Sequence, residues 1–168
     1  MLGEWYRDEP ALAVEAVKAD RLAYTYLSAN LKADLAFNIS MLHRLDEPGR
    51  IYPYLTPEIR KDRQVVMICY PECPEALEHL GVIDDRQILR NVFKKGWGFE
   101  KEKYLSLAAD PIRSDRAFVL ELAVHTYWVI FHTTPENYTD LAFVEQVVAT
   151  YLEAEDAKSA EWDLDLPF

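Results

Sequence analysis

The stretch Thr56-Pro-Glu-Ile-Arg-Lys-Asp62 and the residues after it, Arg63-Gln-Val-Val-Met-Ile-Cys-Tyr70, contain two helix starts in succession. Thr56 precedes a proline and an acid, which is typical of a short helix with a hydroxyl at its N-cap. Asp62 precedes apolar residues at +3, +4, +7 and +8, which form one stripe of an α-helix, and its carboxylate can accept from the free N–H groups of the first turn. The stretch therefore predicts a short helix of about two turns and then a longer helix of about three to four turns.

This pattern recurs along the chain. Thr134-Pro-Glu-Asn-Tyr-Thr-Asp140 and Ser28-Ala-Asn-Leu-Lys-Ala-Asp34 align with it, and Ile112-Arg-Ser-Asp-Arg116 repeats Ile59-Arg-Lys-Asp-Arg63. Six copies, separated by 23 to 30 residues, can be anchored on an aspartate that we predict to be a helix N-cap: Asp8, Asp34, Asp62, Asp85, Asp115 and Asp140.

The repeats predict the architecture, because one unit is too small to bury its own apolar stripe and must stack on its neighbours. We expect an all-α fold, an α-solenoid-like array of about six degenerate helical-pair repeats of roughly 26 residues each. Residues 1–158 are predicted to form this single helical-repeat domain. Residues 159–168 fall outside the repeat and are predicted to be an acidic and aromatic C-terminal tail.

The repeated string, best seen in Ile59-Arg-Lys-Asp-Arg-Gln-Val-Val-Met67, resembles a family of unknown function, the DUF "four-one-one-six" repeats. That family repeats a Leu-Arg-x-Asp-Arg-x-x-Val pattern at a similar interval. The resemblance covers roughly residues 5–152, and it weakens where Leu35 and Leu141 replace the arginine after the aspartate. It implies a helical repeat fold, with no assigned activity and no catalytic residues to carry over.

Composition and charge restrict the functional classes. The 168 residues include 29 acidic and 18 basic ones, a net charge of −11, and this disfavours direct binding to nucleic acid or to an anionic membrane. Two cysteines are too few for a disulfide framework, and the first residues lack the layout of a signal peptide. We therefore predict a cytoplasmic protein.

The strongest candidate for a metal site is the group Cys69, Cys73 and His79, and it is a weak one. Pro71 and Pro74 break the helix that would align the two thiolates, and a fourth ligand is not evident. Cys69 also falls at the +7 position of its repeat, so burial in the core is the better interpretation. There is no phosphate-binding loop and no nucleophile elbow. We predict no catalytic, cofactor-binding or metal-binding residue.

His125 and His132 support an alternative interpretation. They are seven residues apart, so a continuous helix would place both on one face. The alternative is an enzyme of unknown class with a site between repeats near these two histidines, although the segment between them supplies no carboxylate or second base.

Charge is unevenly distributed along the chain. Residues 86–104 carry six basic and two acidic residues, whereas residues 105–168 carry three basic and twelve acidic ones. Lys94, Lys95 and Trp97 lie in the basic segment, next to a Gly-flanked loop, and are candidate partner-binding residues. The other interpretation is a solvated helix end followed by a loop whose tryptophan packs inward.

The C-terminal tail alternates acids with Trp162, Leu164, Leu166 and Phe168. It resembles a short docking segment, so Trp162, Leu164 and Phe168 are further candidate partner-binding residues. Equally, these side chains can fold back and cover the open end of the helix stack.

The sequence thus favours a non-enzymatic protein-interaction module. We expect an acidic helical-repeat adaptor or inhibitor that masks a basic surface of another protein, for example a nucleic-acid-facing surface, and that binds neither membrane nor nucleic acid itself.

Overall fold

The computed structural model describes residues 8–95 and 101–164, the last four of them by their backbone alone. The chain divides into two compact units, residues 1–81 and 82–168. The described parts of both are helical and contain no strand, which confirms the all-α prediction. None of the described helices is both long and apolar enough to cross a membrane.

The first unit alternates α-helices with 3₁₀ helices. Its α-helices are α1 (Pro10–Ala19), α2 (Ala29–Ala33), α3 (Leu35–Leu42), α4 (Pro57–Arg60) and α5 (Arg63–Cys69). Its 3₁₀ helices are Arg21–Tyr26, Pro48–Arg50, Tyr52–Tyr54 and Pro74–His79. Within this unit α3 packs against α5.

The second unit follows the same plan. Its α-helices are α6 (Arg86–Lys95), α7 (Lys103–Ser106), α8 (Asp110–Arg113), α9 (Arg116–Ala123), α10 (Pro135–Tyr138) and α11 (Leu141–Leu164). One 3₁₀ helix, Tyr127–His132, lies between α9 and α10, and an isolated bridge joins Ile83 to Ala108. Within this unit α9 packs against α11. Helix α11 runs through residue 159, so no helix end marks the predicted start of the C-terminal tail.

Aspartate caps begin the longer helices, as predicted for five of the six copies. Asp34 accepts a hydrogen bond from the N–H of Phe37 (3.1 Å), and Asp115 accepts one from that of Phe118 (3.2 Å). The other three aspartates likewise accept from one or two first-turn N–H groups: Asp62, Asp85 and Asp140. The predicted stripe is buried in the first four of these helices and partly buried in α11.

The prediction for Asp8 is wrong. Helix α1 starts at Pro10 with Glu9 at its N-cap, and no side chain caps it. The buried residues of α1 are Ala13, Val14 and Val17, two positions later than the predicted stripe, and Leu12 is exposed. The proline fixes the helix start, because its ring sets φ at the first helical position. Asp20 is a cap that the repeat register missed, and it accepts from Leu22 N–H at the 3₁₀ helix Arg21–Tyr26.

Most of the described helices are shorter than the periodicity predicted, whereas α11, with 24 residues, is longer. The short helices α2, α4, α8 and α10 have only four or five residues, and 3₁₀ helices precede α2, α4 and α10. Thr134 occupies the N-cap position of α10 without a capping hydrogen bond, and its buried hydroxyl has no partner among the described residues. Thr56 does cap α4, since it accepts from Ile59 N–H at 3.5 Å.

Two buried asparagines bind carbonyls at the ends of short helices. Asn38 is completely buried, and its amide group donates to the carbonyls of Leu31 (3.1 Å) and Asp34 (2.7 Å). The Tyr24 hydroxyl donates to the Asn38 side-chain oxygen at 2.9 Å. Asn137 makes the corresponding bonds in the second unit, donating to the carbonyls of Arg113 and Ser114. The Leu31 and Asp34 carbonyls also accept from the backbone N–H groups of Asp34 and Asn38, so the Asn38 side chain adds to the bonds at this helix end.

Cys69 is fully buried, which confirms its predicted place in the core. Its thiol lies 3.6 Å from the Pro48 carbonyl oxygen. Gly49 packs so closely here that a Cβ atom would lie 2.7 Å from the Cys69 carbonyl oxygen. Among the described residues no group of three or more histidines, cysteines or acids is arranged to hold a metal ion.

Candidate functional site

The predicted partner-binding residues are only partly described. Lys94 and Lys95 are exposed in the last turn of α6. Trp97 and Phe168 lie outside the described residues. Trp162 and Leu164 belong to α11, but the structure describes only their backbone. The surface considered below is formed by α6, α7, α9, the 3₁₀ helix Tyr127–His132 and the first part of α11.

Lys94 and His125 lie on one groove, which we call the α6–α9 groove. It has a volume of about 340 Å³ and is lined by residues from α6, from α9 and from the two positions after α9: Gln87, Arg90, Asn91, Lys94, Glu121, Leu122, Val124 and His125. From the sequence, Lys94 was assigned to a partner-binding surface and, in the alternative interpretation, His125 to a catalytic site. The structure places both residues on the same groove.

An ion pair spans this groove. Arg90 Nε and Nη2 donate to the two carboxylate oxygens of Glu121, at 2.6 Å and 2.9 Å. The pair holds the pKa of Glu121 below its usual value, mainly through these hydrogen bonds. The Arg90 guanidinium also lies 5.3 Å from the ring centre of Phe118, so its position is fixed from two sides.

His125 is partly buried at the end of the groove, with its ring 6.5 Å from that of Phe93. Burial lowers its pKa, and the charges of Lys101 and Lys158 lower it further, while Glu121 acts in the opposite direction. The Lys101 ammonium donates to the backbone carbonyl of His125 at 3.3 Å. The imidazole therefore binds a proton less readily than an ordinary histidine side chain does.

His132 has different neighbours, because α9 ends at Ala123 and His132 closes a separate 3₁₀ helix. The expectation of one continuous helix through both histidines is wrong. Ser106 Oγ lies 2.6 Å from His132 Nδ1. Burial lowers the pKa of His132, and the charge of the buried Glu102 opposes this effect. Sequence analysis missed Ser106 and Glu102, because they are 26 and 30 residues from His132 and carry no local motif.

Four neighbouring rings form what we call the aromatic cluster: Tyr127, Trp128, Phe131 and Tyr151. Trp128 is 53% exposed and Phe131 is 62% exposed, with their ring centres 5.6 Å apart. Tyr127 stacks on Trp128 at 4.9 Å and meets Tyr151 of α11 edge to face at 5.3 Å. The exposed side chains of Val148 and Leu152 lie within one turn of Tyr151 along α11.

The stretch of sequence that carries the aromatic cluster is acidic. Residues 105–160 contain nine acidic and three basic side chains, and each base already has an acidic partner within the unit. Arg113 pairs with Asp110, Arg116 with Asp140 at 2.7 Å, and Lys158 with Glu155 at 2.6 Å. The surplus of negative charge faces solvent.

A larger groove, of about 570 Å³, lies in the first unit between the end of α1 and the segment after α3. Its basic residues are largely neutralised. Lys18 and Arg44 share Glu15, at 3.3 Å and 3.1 Å, and Arg50 pairs with Glu47 at 2.9 Å. Arg21, Asp20 and Asp46 also line this groove, so basic and acidic side chains are nearly balanced along it.

No family model, no curated protein and no solved structure matches this chain.

Proposed function

We propose that the protein is a non-enzymatic interaction module that binds a basic surface of another protein through the aromatic cluster. The observation that carries this proposal is the contact between Trp128 and Phe131, two large apolar side chains that are both more than half exposed. Large aromatic side chains left in water cost free energy that a partner can recover by covering them.

Charge indicates what kind of partner fits. The surplus acids of residues 105–160 attract Lys and Arg side chains, and the indole face of Trp128 is a good acceptor for a cation. Aromatic residues dominate the energetics of protein interfaces, whereas charges at the rim mainly steer association. A basic, partly apolar segment of another protein satisfies both features.

The repeat arrangement supports this function. We propose that successive long helices stack side by side within each unit, as in an α-solenoid, and that the DUF repeat resemblance reflects this stacking. The packing of α3 on α5 and of α9 on α11 supports the proposal. A stack of short helical pairs displays its connecting segments along one edge, and the 3₁₀ helix Tyr127–His132, which carries most of the aromatic cluster, is such a segment.

The test compares three forms of the full chain. The Trp128→Ala/Phe131→Ala variant removes the exposed rings, and Leu22→Ala/Tyr26→Ala is a matched control, because those side chains are also exposed on a 3₁₀ helix. A labelled peptide that alternates Arg with Leu is titrated into each form at low and high salt. We expect the aromatic variant to bind about tenfold more weakly than the wild type and the control.

Equal affinity for all three forms would contradict the proposal. Capture from a host lysate with the same three forms then identifies the natural partner as a protein that the wild type and the control retain and the aromatic variant loses. A set of captured proteins that is the same for all three forms would also count against the aromatic cluster.

The contact between Ser106 and His132 favours a second candidate function, acyl transfer. His132 Nδ1 is placed to accept the Ser106 proton as the oxygen attacks an ester carbonyl, and then to return that proton to the departing alcohol. Water, activated by the same imidazole, would release the acyl group as a carboxylic acid and restore the hydroxyl. The exposure of Ser106 leaves the nucleophile accessible.

Incubation with p-nitrophenyl acetate, followed by mass spectrometry of the digested chain, tests this candidate. Acetylation at Ser106 that disappears in His132→Gln and is unchanged in Ser114→Ala, a control at another exposed serine, would support it. Acetylation confined to lysines, at the same level in the wild type and in Ser106→Ala, would exclude it.

A further inference from the structure

The α6–α9 groove has the size and the lining of a small-molecule site. Its volume of about 340 Å³ lies within the usual range for ligand pockets. Two apolar side chains, Leu122 and Val124, contribute to a lining that is otherwise made of amide and charged groups. The groove lies on two helices of one unit, and rigid elements hold a site more precisely than loops do.

The groove presents mainly hydrogen-bond donors. Among the described residues that line it, Glu121 is the only one with a carboxylate, and Arg90 occupies both of its oxygens. The Lys94 ammonium, one turn after Arg90 on α6, forms no ion pair with the described residues. The amide nitrogen of Gln87 donates to Asn91 at 3.1 Å, which adds a polar wall on α6. Lys94 and the outer face of Arg90 are thus left to attract a negative ligand.

The charges around His125 determine the electrostatic potential at the end of the groove. The charged groups that face it are Lys101, which precedes α7, Lys158 on α11 and Glu121 on α9, while Phe93 of α6 packs against its ring. Lys158 is paired with Glu155 at 2.6 Å and Glu121 is paired with Arg90, so the positive charge at this end of the groove comes mainly from Lys101. A strongly acidic chain therefore has a positive site here, and the walls of the groove concentrate that field.

We propose that the α6–α9 groove binds a small oxyanion, the phosphate or carboxylate group of a small molecule, between Lys94, Arg90 and His125. The aromatic cluster is not part of this site, so the inference is independent of the proposed function. An anion bound here also favours protonation of His125, because the imidazolium gains an opposite charge. Binding is then coupled to proton uptake and strengthens as the pH falls.

The test uses sulfate, inorganic phosphate and succinate as probes, with sodium chloride at matched ionic strength as the reference. Sulfate keeps its two charges throughout the pH range in which histidine titrates. Any change in its affinity with pH therefore comes from groups of the protein. Proton NMR measures the pKa of His125 with and without each anion, and calorimetry measures the affinity at two pH values. We expect sulfate to raise the pKa of His125 and to bind more tightly at the lower pH.

Two single variants make the result specific. Lys94→Ala removes an exposed ammonium, so the fold is retained, and it should weaken sulfate binding about tenfold and abolish the shift of the His125 pKa. Lys61→Ala, at an exposed position in the first unit, should leave both unchanged. A stronger response to phosphate than to succinate assigns the ligand to the phosphate class, and the reverse assigns it to the carboxylates.

Equal responses of the Lys94→Ala and Lys61→Ala variants would overturn the proposal. So would an effect that sodium chloride reproduces at the same ionic strength, because that result describes general screening of the protein surface.

Discussion

Arg86 Nη2 lies 2.6 Å from Oδ2 of Asp115, so the first residue of α6 holds the residue that caps α9. The next repeat copies this relationship, since Arg116, the first residue of α9, holds Asp140 ahead of α11 at 2.7 Å. Both arginines also lie over the phenylalanine three residues after the aspartate that they hold: Arg86 over Phe118 at 5.3 Å and Arg116 over Phe143 at 4.7 Å. The two residues of the recurring Asp-Arg pair thus have different roles: the aspartate caps its own helix, and the arginine binds the aspartate that caps the next long helix.

Replacing Arg116 with alanine should destabilise the second unit. The change removes the contact with Phe143 and the hydrogen bond from Arg116 Nε to Asn137 (3.1 Å), which together contribute about 1 kcal/mol. Arg21→Ala is the control, because Arg21 forms no ion pair or ring contact with the described residues. Thermal melting should show a lower Tm for Arg116→Ala alone, and equal Tm values for both variants would contradict the link between repeats.

The caps at Asp62 and Asp8 should differ. Asp62→Ala removes the acceptor for two first-turn N–H groups of α5 and should cost about 1 kcal/mol. Asp8→Ala should change the free energy of unfolding by less than about 0.5 kcal/mol, since α1 begins at Pro10 without a side-chain cap. Urea unfolding measures both, and a larger loss at Asp8 would show that the first helix begins elsewhere.

Asn38 should be the most sensitive polar residue of the first unit. Its replacement by alanine leaves the buried Tyr24 hydroxyl without its partner and removes one of the bonds that the Leu31 and Asp34 carbonyls each accept, at a cost of about 2 to 3 kcal/mol. Tyr24→Phe removes only one of these bonds and should cost about 1 kcal/mol. Denaturant unfolding should rank the two variants in this order, and the opposite order would show that the hydroxyl carries the network.

Acid should weaken the second unit through its aspartate caps. The pKa of Asp115 is lowered by the hydrogen bond from Phe118 N–H and by Arg86, and that of Asp140 by Arg116 and by Phe143 N–H. A lowered pKa stabilises the fold fully above the unfolded value of about 3.9, and this stabilisation is lost as the pH falls through the folded value. Thermal melting of the wild type should show a fall in Tm from pH 6 to pH 2.5, and this fall should be smaller in the Asp115→Asn/Asp140→Asn variant. An equal fall in the double variant would contradict the role of the two caps.

The sequence predicted the starts of the longer helices well, because an aspartate cap and an apolar stripe are both local signals. The failure at Asp8 has a local cause, since Pro10 is the first helical residue and places Glu9, one residue after Asp8, at the N-cap. The 3₁₀ helices were not predicted, because three to six residues are too few to show a period. Asn38 and Asn137 stand at positions that the repeat pattern treats as ordinary, and their bonds to carbonyls depend on how two helices meet.

The candidate sites were harder to predict. Lys94 was chosen for the charge of its segment and His125 for its chemistry, and only the packing of α6 against the end of α9 places them on one groove. The exposure of Trp128 and Phe131 carries no sequence signal, because apolar residues in a helical chain are normally assigned to the core. Partners that are distant in sequence, such as Ser106 and His132, can be found only from the fold.

The link from each arginine to the following cap is made through space. Arg86 and Asp115 are 29 residues apart, whereas Arg116 and Asp140 are 24 residues apart, and both pairs close to nearly the same distance. The described segment between a long helix and the next short one differs between the two repeats, because it carries α7 in one and the 3₁₀ helix Tyr127–His132 in the other. The ion pair is present in both, so the register of neighbouring repeats does not depend on the length or the structure of the segment between them.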